Sequence, residues 1–175
     1  MKYLLFVLLA LGIMNVSAVK NSPTFQKSNS LAVVKVSSEP GLGEIVRALC
    51  LVESDNRAHL KGRSGERGVM QIMRNEWEFA THKLMGADKN NLIDGVDYSW
   101  SSAFNRDKNI AVGTVYMNYL IDKYYGDWRT AVKVYHSGHR GVFKLGRGNS
   151  YLNMVKRTLA SGNTAWRKAR KDRKA

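Results

Sequence analysis

The chain has 175 residues, enough for one domain with its own core and too few for two catalytic units. Its 28 Lys and Arg against 14 Asp and Glu give a formal charge of +14, an excess that calls for an anionic partner or a solubility role. Cys50 is the only cysteine, which excludes an internal disulfide framework and a zinc knuckle; its place in an apolar helical pattern points to burial rather than reactivity.

Residues 1–18 begin Met1, Lys2, Tyr3, continue as an apolar run over residues 4–14 and end on the small residues Val16, Ser17 and Ala18. This is the pattern of a secretory signal peptide, with an apolar core shorter than the ~20 residues of a permanent membrane span. Export to the periplasm or the exterior is therefore expected. Removing the segment deletes Lys2 and leaves 27 basic residues against 14 acidic ones, a charge of +13. Residues 19–38, rich in Ser, Lys and Asn, read as a flexible linker, with a short strand at Leu31, Ala32, Val33 and Val34.

The folded domain, residues 39–158, is expected to open near Glu39, Pro40 and Gly41. From there Leu42, Ile45, Val46 and Leu49 recur at the three-and-four spacing of an amphipathic helix. Glu53 falls four residues after Leu49 on the same apolar stripe, where a carboxylate loses solvation unless it is paired or stays protonated. Residues 61–68 carry Gly62, Ser64, Gly65 and Gly68 among charges and read as a loop or small β-hairpin insertion. Asn75 with Glu78 three positions later makes a capping-box pattern for a helix containing Trp77, Phe79 and Leu84. Residues 86–102 are polar and irregular.

Asp107 is expected to cap the next helix, whose stripe runs Ile110, Gly113, Met117, Leu120, Ile121 and Tyr124. Gly126 and Asp127 end that helix and cap another, with Trp128, Ala131, Val132 and Tyr135 on one face before Ser137 and Gly138 stop it. Tyr151, Leu152 and Val155 mark a last helix. The fold class is thus mainly α, compact, with one small non-helical insertion. Residues 159–175 form a basic tail; the last ten carry six Lys or Arg against Asp172 and read as a solvated end or an anchor to an anionic wall polymer.

Cleaving a glycosidic bond near neutral pH needs a protonated carboxyl, and apolar burial raises a carboxyl's pKa, so Glu53 qualifies as a general acid. On pattern alone it also fits a structural carboxylate that caps a loop or pairs with an arginine. Four blocks bear on the choice: Leu51, Val52, Glu53, Ser54; then Gly65, Glu66, Arg67, Gly68, Val69, Met70, Gln71, Ile72; then Asn109, Ile110, Gly113 and Tyr116; then Tyr135, His136, Ser137, Gly138. In this order the sequence resembles the soluble lytic transglycosylase family, which has an E-S pair ending a helix, a G-x-x-G-L-M-Q-I block, an N-I-x-x-G helix and a Y-N-A-G turn. The likeness covers roughly residues 39–155 and takes in Tyr151 and Val155, which match the family's closing aromatic segment.

The resemblance implies an α+β lysozyme-like fold, mostly helical, with a groove for the alternating N-acetylglucosamine and N-acetylmuramic acid of peptidoglycan glycan strands. It implies Glu53 as the catalytic residue of a lytic transglycosylase. Glu53 would protonate the leaving oxygen of the β-1,4 bond, then act as base on the muramic acid's own primary hydroxyl, closing a 1,6-anhydro ring without water. One carboxyl serves both steps, unlike the paired carboxylates of most glycosidases. Ser54, Met70, Gln71 and Tyr135 match positions beside the acid that orient it or contact the sugar's N-acetyl group, and are the implied substrate-binding residues. Read without the resemblance, Met70 and Tyr135 fit a core and Ser54 a helix end. A monomer with no cofactor is the accompanying expectation.

Three positions depart from the family pattern. His136 replaces Asn and Ser137 replaces Ala, so the contact of that Asn amide is open. Glu66 stands at a usually small position and adds a second carboxyl. At ~6.5–9.5 Å from Glu53 it would activate a water and give inverting hydrolysis, the outcome of a muramidase. A salt bridge with a nearby arginine is the plainer expectation. Glu66 and His136 are the additional candidate site residues. The spacing of His59, His82, His136 and His139 does not announce the three or four convergent ligands of a metal site. No glycine-rich phosphate loop follows a strand and no serine nucleophile elbow occurs, which speaks against a nucleotide cofactor. Outside the enzymes, the charge also suits a cationic binder of wall polymer or nucleic acid, a role that gives no reason for an acid on a buried stripe.

Overall fold

The computed structural model describes residues 39–172, with side chains to residue 160. The chain separates into two units, Met1–Val36 and Ser37–Ala175, and every described residue belongs to the second. The signal segment, the linker and the strand expected at residues 31–34 lie outside the described residues.

Helix α1 spans Leu42–Ser54. Its start is fixed by Glu44, whose Oε2 accepts the Gly41 N–H at 2.9 Å and satisfies a donor that the helix itself leaves without a partner. Ile45, Val46, Leu49 and Cys50 are buried, as the stripe requires. The helix stops because Asp55 and Asn56 take left-handed φ of 56° and 66°, which Asp and Asn tolerate better than most side chains. Their N–H groups close on the Leu51 and Cys50 carbonyls at 3.0 Å. Glu53 is thereby held in the last turn of a helix packed on the later helices at Arg106–Lys123 and Asn149–Asp172.

Residues 61–68 form a loop, pinned by single antiparallel bridges of Lys61 with Arg67 and of Arg67 with Ile72. The hairpin lies later, within the stretch that reads as irregular. Strands β1 (Leu92–Ile93) and β2 (Val96–Asp97) pair antiparallel around Asp94 and Gly95, which have φ of 49° and 78°. Positive φ at both central residues is what a two-residue hairpin turn of type I′ demands.

Helix α2 (Arg74–Phe79) starts one residue before Asn75 with Met73 at its N-cap, so the capping box expected at Asn75 and Glu78 does not form. Glu78 instead pairs with Arg74 one turn back at 2.7 Å. The helix runs into a π-helical turn at Ala80–Leu84, where the Thr81 hydroxyl donates to the Trp77 carbonyl at 2.9 Å. A 3₁₀ turn follows β2 at Trp100–Phe104.

Helix α3 (Arg106–Lys123) is capped by Asn105, not by Asp107. Asn105 has the extended backbone a cap needs and its side chain accepts the Lys108 N–H at 3.1 Å, while Asp107 already stands in the first turn. Gly126 at φ 84° ends the connection, and Asp127 accepts from the N–H groups of Arg129 and Thr130 to open α4 (Trp128–Leu145). Gly138, at φ 67° and ψ 163°, breaks α4 where its end is expected, but the chain resumes helix as far as Leu145. Only glycine occupies that backbone region without strain. Helix α5 (Asn149–Asp172) buries Tyr151, Leu152 and Val155 and continues through most of the segment read as a basic tail.

The core gathers Ile45, Leu49, Met70, Trp77, Val112, Met117, Val132 and Val155 from all five α-helices and the loop before α2. Each such side chain contributes about 1.5–3 kcal/mol of burial. At the edge, Glu39 accepts from the Trp128 indole N–H at 2.5 Å and from Arg129 at 3.0 Å, tying the first residues of the domain to α4. The architecture is mainly α, with one two-stranded sheet among the described residues.

Candidate active site

Glu53 leaves α1 on its buried side, with its side chain only 16% exposed. Desolvation pushes its carboxyl up from the ordinary 4.5 to about 7; the hydrogen bond from Tyr151 opposes the rise and the charge of Glu66 adds to it. The Tyr151 hydroxyl donates to Glu53 Oε1 at 2.5 Å across 98 residues of sequence. Burial and the neighbouring carboxyl hold the Tyr151 phenol well above its ordinary value, so it remains a donor. His136 lies parallel on the Tyr151 ring, centroids 4.0 Å apart and planes 4° apart, with Nδ1 4.0 Å from the same Glu53 oxygen. Cys50, one turn before Glu53, is buried and its thiol is pushed up to about 11, which keeps it unreactive.

The loop before α2 is built as a tight turn. Arg67 and Ile72 exchange backbone hydrogen bonds at 3.0 and 3.1 Å, with Gly68 at φ 79° and Gln71 at φ 48° between them. A Cβ at Gly68 would stand 2.4 Å from Asn109 Nδ2, so only glycine fits. Fully buried Asn109 reaches in from α3: its Oδ1 accepts the Met70 N–H at 2.8 Å, and its Nδ2 donates to the carbonyls of Arg67 at 3.0 Å and Ala103 at 2.9 Å. Gly113, one turn on, leaves room for the Met70 side chain, whose sulfur would be 2.3 Å from an added Cβ. Gln71 is the residue turned outward, its amide donating to the Leu60 and Gly68 carbonyls.

These elements wall a groove of about 410 Å³, lined among others by Gln71, Glu76, Tyr116, Tyr119, Tyr135, His136 and His139. Glu53 is not itself a lining residue; His136, which is, lies against both it and Tyr151. The sequence-predicted residues divide accordingly. Gln71 and Tyr135 face the groove, and the Tyr135 hydroxyl donates to the Met70 carbonyl at 2.8 Å. Ser54 and Met70 are 1% and 0% exposed. The Ser54 hydroxyl donates to the Val69 carbonyl at 2.7 Å and accepts the Arg57 N–H at 3.1 Å, so it ties the end of α1 to the loop. Glu66 does not form the expected salt bridge: among the described residues no arginine pairs with it, and its Oε2 accepts the Ser64 N–H at 3.0 Å. Among the described residues no group of three His, Cys, Asp or Glu is placed to hold a metal.

The model of the transglycosylase SLT domain family matches residues 37–154, about two-thirds of the chain. The chain belongs to this family. Comparison with curated proteins and with solved structures gives no significant match. As an SLT domain it is a member of the lysozyme-like superfamily, which agrees with the mainly helical architecture. Membership carries, in general terms, a lytic transglycosylase-type peptidoglycan-cleaving function with peptidoglycan as the bound polymer.

Two residues of the SLT domain that shape this site are not legible as site residues in the sequence. Tyr151 reads as a core aromatic on the last helix, and at 3% exposure it is one, but its hydroxyl is what touches Glu53. Asn109 stands inside a quoted block, yet a lone Asn in the first turn of a helix reads as a capping or surface residue. The available signal was its place on a buried stripe, since a fully buried amide must find partners for all its polar atoms.

Proposed function

We propose that this SLT domain is a lytic transglycosylase that cleaves the β-1,4 bond between N-acetylmuramic acid and N-acetylglucosamine and leaves 1,6-anhydromuramic ends. The observation that carries the reading is Glu53: a carboxyl drawn out of water and pushed up to about 7, beside His136 at the wall of a groove of about 410 Å³. Such a group is protonated in a large fraction of molecules at neutral pH, as a general acid must be, and its conjugate base is strong enough to take a proton back. Glu53 first donates to the leaving oxygen, then accepts the proton of the muramic acid's primary hydroxyl as that oxygen closes on the anomeric carbon. Tyr151 steadies the carboxylate formed between the two steps. Gln71 and Tyr135 contact the sugar from the groove wall, and Ser54 and Met70 hold the wall in place.

Hydrolysis is the second reading, favoured by one observation: the charge of Glu66 is felt at Glu53. A carboxylate nearby is what a water-activating base needs. Mass spectrometry of the products from isolated peptidoglycan separates the two. Anhydromuramic ends support the transglycosylase, and ends heavier by one water overturn it in favour of a muramidase. Replacing Glu53→Gln abolishes turnover under either reading, because an amide has no proton to give; retained activity in that variant refutes the assignment of the acid. The proposal places the domain outside the cytoplasm after removal of residues 1–18, where its polymer lies. It also assigns the C-terminal basic residues to contact with anionic wall polymer.

A further inference from the structure

We propose that His136 is a positioning residue for the acid and sets the lower edge of its working pH range: neutral, it holds the Tyr151 phenol against Glu53; protonated, it sets a cation beside the acid and the reacting sugar. This rests on the role proposed for Glu53.

Both neighbours address one atom. Tyr151 donates to Glu53 Oε1 at 2.5 Å, and His136 Nδ1 stands 4.0 Å from that oxygen, within ion-pair reach but outside a hydrogen bond. The ring contact is face to face, with planes only 4° apart, so the imidazole cannot turn without releasing the phenol it covers. The side chain of His136 is 49% exposed and lines the groove, so solvent protons reach it.

The other groups around the pair do not duplicate this role. The phenols of Tyr135 from α4 and Tyr151 from α5, and the Cys50 thiol from α1, are all raised by burial and stay neutral through the acid and neutral range. Glu66 contributes negative charge from the loop. His139 and Lys123 also line the groove, engaged with the hydroxyls of Tyr124 and Tyr119 respectively. His136 is therefore the group beside Glu53 whose charge becomes positive as pH falls. Burial keeps its imidazole below the ordinary 6.5, so it is neutral at pH 7.

The proton inventory gives the consequence. One proton on the pair sits either on Glu53, from which it can pass to the leaving oxygen, or on His136, which leaves Glu53 as an idle carboxylate. Two such groups titrate as a unit with two apparent steps. A second proton puts a cation beside a sugar ring whose anomeric carbon is itself becoming positive, which opposes the transition state. Activity therefore falls on the acid side because of His136, and on the alkaline side because Glu53 ionises.

The test has two arms on the full chain. The first follows the His136 imidazole by NMR through a pH titration of the isotope-labelled wild type and of Glu53→Gln. Two steps in the wild type and one in the variant are expected; an identical single step in both overturns the pairing. The second measures kcat/KM against pH on isolated peptidoglycan for the wild type, His136→Asn and His136→Phe. The wild-type rate should fall about tenfold per pH unit below the imidazole titration, and neither variant should show that acid limb. An acid limb surviving in both variants overturns the proposal. Phenylalanine keeps a ring over Tyr151 and asparagine does not, so kcat should drop further in His136→Asn. A wild type that cleaves no glycan yet gives the two-step titration refutes the role proposed for Glu53 and leaves its pairing with His136 standing.

Discussion

Replacing Glu53→Gln should make the domain more stable at alkaline pH and change little at acid pH. The folded carboxyl titrates at about 7 against an ordinary 4.5. Folding therefore favours its protonated form, and the interval corresponds to roughly 3 kcal/mol. The sign follows from the direction. A raised acid contributes its stabilisation fully below 4.5, where both states are protonated, and loses it progressively as pH rises to about 7 and beyond, where the folded state must hold an ion out of water. Glutamine has the same shape, can still accept from Tyr151, and carries no charge at any pH. Urea unfolding of both proteins between pH 4 and pH 8.5 reads the difference directly, because the other titrating groups largely cancel. Their stabilities should run nearly parallel below pH 4.5 and diverge through neutrality until the variant leads by about 3 kcal/mol. A gap that does not change with pH would mean that Glu53 is solvated in the folded protein, and the case for it as an acid would collapse.

Tyr151→Phe removes the hydroxyl that favours the ionised form of Glu53, so the alkaline limb of the rate profile should move up by about one pH unit. An unmoved or lowered limb in that profile contradicts the hydrogen bond. Asn109→Ala strands the Met70 N–H and the Ala103 carbonyl and leaves the Arg67 carbonyl with the Ile72 N–H alone, and should cost about 3 kcal/mol of unfolding free energy. A loss under about 1 kcal/mol in urea titration would show that the loop before α2 holds itself.

The helices were readable where apolar spacing and a stop signal coincide. The break at Gly126 and Asp127, between the stripe ending at Tyr124 and the one opening at Trp128, is local, and local chemistry sets it. The strands Leu92–Ile93 and Val96–Asp97 are two residues each, too short for any alternation to appear. The capping residues stand two positions before those the pattern suggests, because Asn105 and Asp107, or Met73 and Asn75, fall within the same turn. At the site, Glu53 stood out because a carboxyl on an apolar stripe is an oddity in itself. Tyr151 did not, since a tyrosine on such a stripe is ordinary and its partner lies 98 residues away.

The amide of Asn109 gathers three backbone groups on one side chain, two from the turn before α2 and one from the 3₁₀ segment. A knot of that kind couples the shape of the carbohydrate cleft to the integrity of the whole molecule: the turn that presents Gln71 cannot drift open while the helix behind it stays intact. Loss of the cleft and loss of the fold should therefore arrive together, so that a damaged copy is an inert one and not a loosened blade still cutting.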